Sequence, residues 1–196
     1  RRHDMSKKKI GNVWVFIEQD DGKIADVSLE LVCKATELAA ELGVGTEAVI
    51  LGDQVVQLTS VLHQYGCDNV FCAEDPRLKY FSAIPYTKII VNLVREHTPN
   101  IFMFGATPTG RSLAPRVAST LQAGLTADCT DLRIDDFEDK ANKRVLKQKL
   151  MQIRPAFGGN IIATIVNSWD DPQMVSVREG VMALGEPDPD RKGKVT

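Results

Sequence analysis

The 196-residue chain has three histidines and four cysteines, and none is arranged for metal or disulfide chemistry. Cys33, Cys67, Cys72 and Cys129 form no CxxC, and none pairs with His3, His63 or His97 at a zinc-site spacing. Reduced, buried or idle thiols are therefore expected, and no metal ligand is assigned. An excess of one charge is also missing: 24 Lys and Arg against 26 Asp and Glu give a formal net charge of -2. No large positive field is present to hold nucleic acid or an anionic membrane. Long hydrophobic runs are absent too. Stretches such as "NVWVFI" and "NIIATIV" are far too short to span a bilayer. The basic "MSKKKIG" reads as a solvated start and lacks a signal-peptide cleavage site, so a cytoplasmic location is expected. Residues 1–11, with "RRHD" ahead of the first methionine, read as a disordered or extraneous start.

With 43% hydrophobic and 26% charged residues, the chain has the balance of a soluble globular domain, and its length allows a core that needs no staple. From Asn12, β-rich runs alternate with amphipathic helices. Strands are predicted at 12–18, 47–52, 69–74 and 100–106, and helices at 27–43, 54–66, 87–99 and within 111–124. Ser28 and Asp53 are candidate N-caps, and Gly43 and Gly66 are stops. Pro115 either sits in the first turn of a helix starting near Leu113 or marks a kink. Continuous apolar strands alternating with helices imply a doubly wound, mostly parallel α/β sheet covered on both faces. After Gly124 the rhythm changes. Residues 125–135, 144–153, 160–169 and 173–182 are strand-like and separated by turns, which predicts an antiparallel extension. The organisation expected is an α/β domain over residues 12–184 followed by an exposed linker over 185–196, "GEPDPDRKGKVT".

Three clusters invite a functional reading. In "GATPTGRSLAPRVA" (105–118), Gly105 and Gly110 flank a turn at the carboxyl end of a predicted parallel strand, the edge where α/β sheets bind ligands. Thr107, Thr109 and Ser112 supply hydroxyls, Arg111 a cation, and the following helix a positive N-terminus. The spacing fits neither GxGxxG nor GxxxxGK[ST], so a structural corner, a phosphate site and a partner contact all remain open. "RPAFGGN" (154–160) makes a turn that carries a cation and an aromatic ring. "TADCTD" places Asp128, Cys129 and Asp131 together, and a hydrolytic reading would have to rest on those three, but no base lies nearby in sequence. No catalytic residue is assigned.

Taken together, "GATPTGRSLAPRVA", "GLTADCTDLRID", "RPAFGGNIIATI" and "QMVSVREGVM" resemble the alpha subunit of electron transfer flavoproteins. "NVWVFIEQDDGKIADVSLEL" and "EPDPDRKGKV" extend the resemblance over nearly all of the chain after Met5. The departures are small: Pro108, Ser112, Ile153, Ser176 and Glu179 replace residues more common in the family. The resemblance implies a Rossmann-like three-layer fold of the adenine nucleotide alpha hydrolase-like kind. It implies an electron carrier subunit rather than an enzyme, with FAD held by a C-terminal domain absent from this chain and none bound by this part. It also implies a heterodimer with a beta subunit and acyl-CoA or other dehydrogenases as redox partners. The wording of "VSLELVCKATELAAELG" and "PYTKII" is closer to the electron-bifurcating type. On this reading Thr107, Arg111, Arg154, Phe157, Gly158 and Gly159 form the subunit contact. The alternative is a stand-alone adenine-nucleotide-binding domain that uses Gly105, Thr107, Gly110 and Arg111.

Overall fold

The protein is described from a computed structural model that covers residues 10–156, 158, 161–167 and 172–196. Among these, β1 (Val13–Ile17), β4 (Thr46–Gly52), β5 (Asn69–Glu74), β6 (Ile101–Gly105), β7 (Leu125–Cys129), β11 (Gln173–Val177) and β12 (Lys194–Val195) build a seven-stranded sheet in the order β12-β5-β4-β1-β6-β11-β7. Every pairing in it is parallel. A short hairpin, β2 (Gln19–Asp20) with β3 (Lys23–Ile24), follows β1. The apolar runs are continuous because both faces of the sheet are covered. Val13, Val15 and Ile17 pack towards α1 (Asp26–Leu42) and α2 (Thr59–Gln64), while Trp14 and Phe16 point the other way. There they join Phe71, Phe102 and Phe104 beneath α3 (Ala83–His97) and α4 (Pro108–Leu121). The Trp14–Phe102 and Phe102–Phe104 ring centroids lie 5.5 and 4.5 Å apart, a packing in which large rings fill the layer.

Several expectations are corrected. Residues 125–129 and 173–177 are not antiparallel additions but parallel strands of the central sheet. The antiparallel part is the excursion between them: β8 (Asp131–Asp139), β9 (Arg144–Ala156) and β10 (Ile161–Val166), in the order β10-β9-β8. Ser28 is not the cap of α1; Ala25 holds that position, and Ser28, buried in the first turn, accepts a hydrogen bond from the Glu18 N–H at 2.9 Å. Asp53 does not cap α2, which follows a 3-10 turn at Val56–Leu58. Helix α3 begins four residues before Thr87, with Pro85 in its first turn. Helix α4 begins at Pro108, ahead of both Arg111 and Leu113, and Pro115 lies on its exposed side. Pro115 has no N–H for the Arg111 carbonyl, a loss that an exposed position tolerates better than a buried one.

The segment over 185–196 is not a free linker. Gly185 N–H donates to Cys33 Sγ, Asp188 N–H to the Gln64 carbonyl, and Arg191 Nη2 to both the Gly66 carbonyl and Asp68 Oδ1 at 2.9 Å each. Lys194 and Val195 then pair with Asn69 and Val70 as an edge strand. Its side chains are largely exposed, which explains the loop-like composition, whereas its backbone is tied down.

Candidate functional site

In a doubly wound sheet the ligand crevice opens where the chain reverses direction across the sheet, at the carboxyl ends of the strands. Here the chain runs from β1 outward through β4 and β5, then returns to β6 on the other side of β1. The reversal therefore lies between Glu18, just after β1, and Gly105–Thr107, at the end of β6. Across it two of the protein's own side chains meet. Thr107 Oγ1 lies 2.8 Å from both Glu18 carboxylate oxygens and shares its single proton with them. The same oxygen accepts the Gly110 N–H at 2.9 Å, so Thr107 is the N-cap of α4.

The two glycines follow from this contact. A Cβ on Gly110 would lie 1.8 Å from the Gly105 carbonyl oxygen, and one on Gly105 would meet Glu18 Oε1 and Val27 at 3.1 Å. Both positions are set by close approach of backbone to backbone and to the carboxylate. Of the N–H groups at this helix end, Pro108 has none, Gly110 serves Thr107 Oγ1, and Arg111 bonds the Thr107 carbonyl, which leaves the Thr109 N–H as the donor not engaged by the cap. The anion at the helix N-terminus is Glu18. The crevice does not fit the pyrophosphate of a flavin or nicotinamide dinucleotide, because it presents a carboxylate where that group would need a donor. A cleft of about 540 Å³ lies beside it, lined by Glu18, Lys23, Asp26, Lys79, Tyr80 and Thr109 among others. Its charges are mixed rather than cationic.

Burial raises the Glu18 carboxyl above its ordinary value; the Thr107 hydrogen bond opposes this, and the nearby Glu179 charge adds to it. A carboxyl that holds its proton more tightly folded than unfolded stabilises the fold at low pH, and that contribution is lost as pH rises through the raised folded value. Glu18→Gln keeps an acceptor for Thr107 and removes the charge. It is expected to raise Tm at pH 7, with the gain fading towards pH 4. Melting curves at the two pH values check this, and an equal shift at both would contradict it.

At the far end of the same edge, the pairing of β7 with β11 slips between Val175 and Val177. Asp128 takes φ +58° there, its N–H donates to Ser176 Oγ at 3.1 Å, and its carboxylate meets Arg111 Nη2 at 3.2 Å. Asp131 pairs with Arg133 and accepts the Leu132 N–H. Cys129 is buried, and burial pushes its thiol up to about 11 even with the Arg154 charge pulling down. The hydrolytic trio is thus two structural carboxylates and a thiol that is hard to ionise.

The residues expected at a subunit contact fall in two groups. Thr107 is 7% exposed and turned inward, so its part is structural. Arg111 is exposed but paired with Asp128. Arg154, half-buried near the end of β9 and opposite Ala163 of β10, lies within electrostatic reach of Cys129, which brings this end of β9 to the edge holding Arg111 and Asp128. Gly158 is exposed at φ +70° with nothing within 4 Å of where a Cβ would stand, while Phe157 and Gly159 lie outside the described residues. The expected contact did not include β10. Ile161, Ile162 and Ile165 are 52, 74 and 36% exposed on a strand whose outer edge has no described neighbour. The signal was present: "NIIATIV" has no polar alternation, so a strand placed outside a core must show apolar side chains.

Comparison with known proteins adds the family. The profile of the electron transfer flavoprotein domain matches residues 13–196. The chain is 47% identical over 177 residues to an electron transfer flavoprotein subunit alpha of Clostridium acetobutylicum, covering 90% of this chain and 50% of that protein. It is 42% identical over 184 residues to the corresponding subunit of Thermoanaerobacterium thermosaccharolyticum, covering 94% and 53%. It is 38% identical over 182 residues to the subunit LctC of the lactate dehydrogenase (NAD(+),ferredoxin) of Acetobacterium woodii, covering 93% and 41%. The chain spans about half the length of these relatives.

Proposed function

The chain belongs to the electron transfer flavoprotein family, and from that premise we propose that it is the N-terminal scaffold and subunit-contact domain of an alpha subunit. In this reading the whole protein carries electrons from a dehydrogenase through FAD to an acceptor, and the FAD is held by the part of the protein beyond this domain. The domain catalyses nothing itself. It provides a rigid base and a surface for a beta subunit. The observation that carries the proposal is the exposed apolar strand β10, beside Arg154, on a domain whose ligand crevice presents the Glu18 carboxylate. One relative names both NAD(+) and ferredoxin, which supports the electron-bifurcating type for this protein. A purified heterodimer holding one flavin and an AMP would count against that type.

The test is association with the beta subunit of the same organism. Arg154→Ala in the full-length alpha subunit is expected to weaken the complex by about tenfold, roughly the 1.4 kcal/mol of a moderate interface anchor. Its Tm should change little, since Arg154 enters no ion pair or side-chain hydrogen bond among the described residues. An unchanged dissociation constant removes Arg154 from the contact. The isolated domain, in turn, is expected to be colourless and to release no nucleotide on denaturation; bound AMP or FAD would reopen the crevice as a site.

A further inference from the structure

The outer groove between α3 and α4 carries an interaction surface of a different character. On α3, Ile84, Lys88, Asn92 and Arg95 follow one another at four, four and three residues, a single stripe along the helix. Arg116, with Ser119 and Thr120, faces them from α4 across a groove of about 700 Å³. No carboxylate lines the groove, and among the described residues Lys88, Arg95 and Arg116 enter no ion pair. At the N-terminal end of α3 the groove turns apolar at Ile84, which is 78% exposed; Tyr80 and Phe81 line the other cleft, beside Glu18. The helix on the opposite face of the sheet, α1, has the contrary sign, with Asp26, Glu30, Glu37 and Glu41 against Lys34. The basic layer is therefore not a general property of the molecule.

We propose that this groove docks an acidic amphipathic helix of a partner protein, its apolar side seated on Ile84 and Pro115 and its carboxylates paired with Lys88, Arg95 and Arg116. Two features choose this occupant. Unpaired cations without a compensating acid call for an anionic partner, and a shallow trough between two helices accepts a third helix by its ridges. The exposed apolar side chains of Ile84 and Pro115 give nothing to a simple polyanion, but anchor a helix that has an apolar face. The surface is separate from β10 and does not depend on the proposed contact there.

The test uses this chain with a synthetic helical peptide, Glu on one face and Leu on the other, and a scrambled peptide of the same composition. Binding is followed by amide chemical shifts and fluorescence anisotropy at low and high salt. The expected result is micromolar binding of the amphipathic peptide, shifts along α3 and α4, and at least about tenfold weakening between 50 and 500 mM salt. The triple variant Lys88→Glu, Arg95→Glu, Arg116→Glu should lose binding while keeping both Tm and affinity for the beta subunit. Ile84→Ala should weaken binding at high salt, where the apolar contact dominates. Equal binding of the scrambled peptide, equal binding of a single-stranded oligonucleotide, or shifts confined to other faces would overturn the proposal, as would no binding at about 1 mM.

Discussion

Gly110→Ala should lower the melting temperature by about 10 °C, a larger loss than an ordinary glycine replacement inflicts. The cause is close approach, not conformational freedom. An added Cβ lies 1.8 Å from the Gly105 carbonyl oxygen and 2.9 Å from its carbon. Both are backbone atoms, so no rotamer change relieves the overlap, and the first turn of α4 must move away from β6. That movement breaks the Gly110 N–H bond to Thr107 Oγ1 and, through Thr107, the bond to Glu18. Overpacking plus a lost cap amounts to about 3–5 kcal/mol, and a domain of this size loses about 2–4 °C per kcal/mol. Gly22→Ala is the comparison. Gly22 has φ +78° but nothing within 4 Å of the added atom, so the cost is the left-handed backbone alone, about 1 kcal/mol. Thermal unfolding of the two variants side by side decides the matter. If Gly110→Ala melts within about 2 °C of the parent, the close packing of α4 on β6 is wrong.

The same corner shows what a sequence reveals and what it hides. That "IFMF" is a buried strand ending in a glycine turn follows from composition, and β6 does end at Gly105. Thr107 and Pro108 also carried a helix-start signal in cap and first-position chemistry, but Pro115 pulled the expected start inward, because an interior proline on an exposed side is tolerated at a cost that sequence alone does not price. Glu18 was not singled out. A lone acid after a strand has no signature, and its partner Thr107 is 89 residues away. Direction in the sheet was hidden for a related reason. The period of two that marks 125–129 and 173–177 as strands is the same for parallel and antiparallel pairing, and the β8–β10 excursion replaces the helix that normally announces a parallel crossover. The strap over 185–196 is hidden in the sequence because its hold on the domain is through backbone groups, Arg191 and Thr196, which leave no apolar pattern.

Ile162→Lys should weaken association of the full-length alpha subunit with its beta subunit by about 30- to 100-fold, the effect of burying an unpaired ammonium at the centre of an apolar contact. The isolated domain should not notice. At 74% exposure Ile162 makes little of the core, and surface replacements of that kind stay within about 0.5 kcal/mol. Titration calorimetry of the complex, with the domain's own Tm as control, separates the two effects. An exposed apolar edge strand is an aggregation hazard that a stable protein has to cover, so a partner across β10 accounts for its persistence. Ile165→Lys refines the reading, since residues 162 and 165 point to opposite faces of the strand. If the beta subunit packs on one face, only one of the two lysines disrupts the complex. If it pairs along the free edge and wraps both faces, both do. Should neither change the dissociation constant, β10 is not the contact, and the partner must sit elsewhere on the domain.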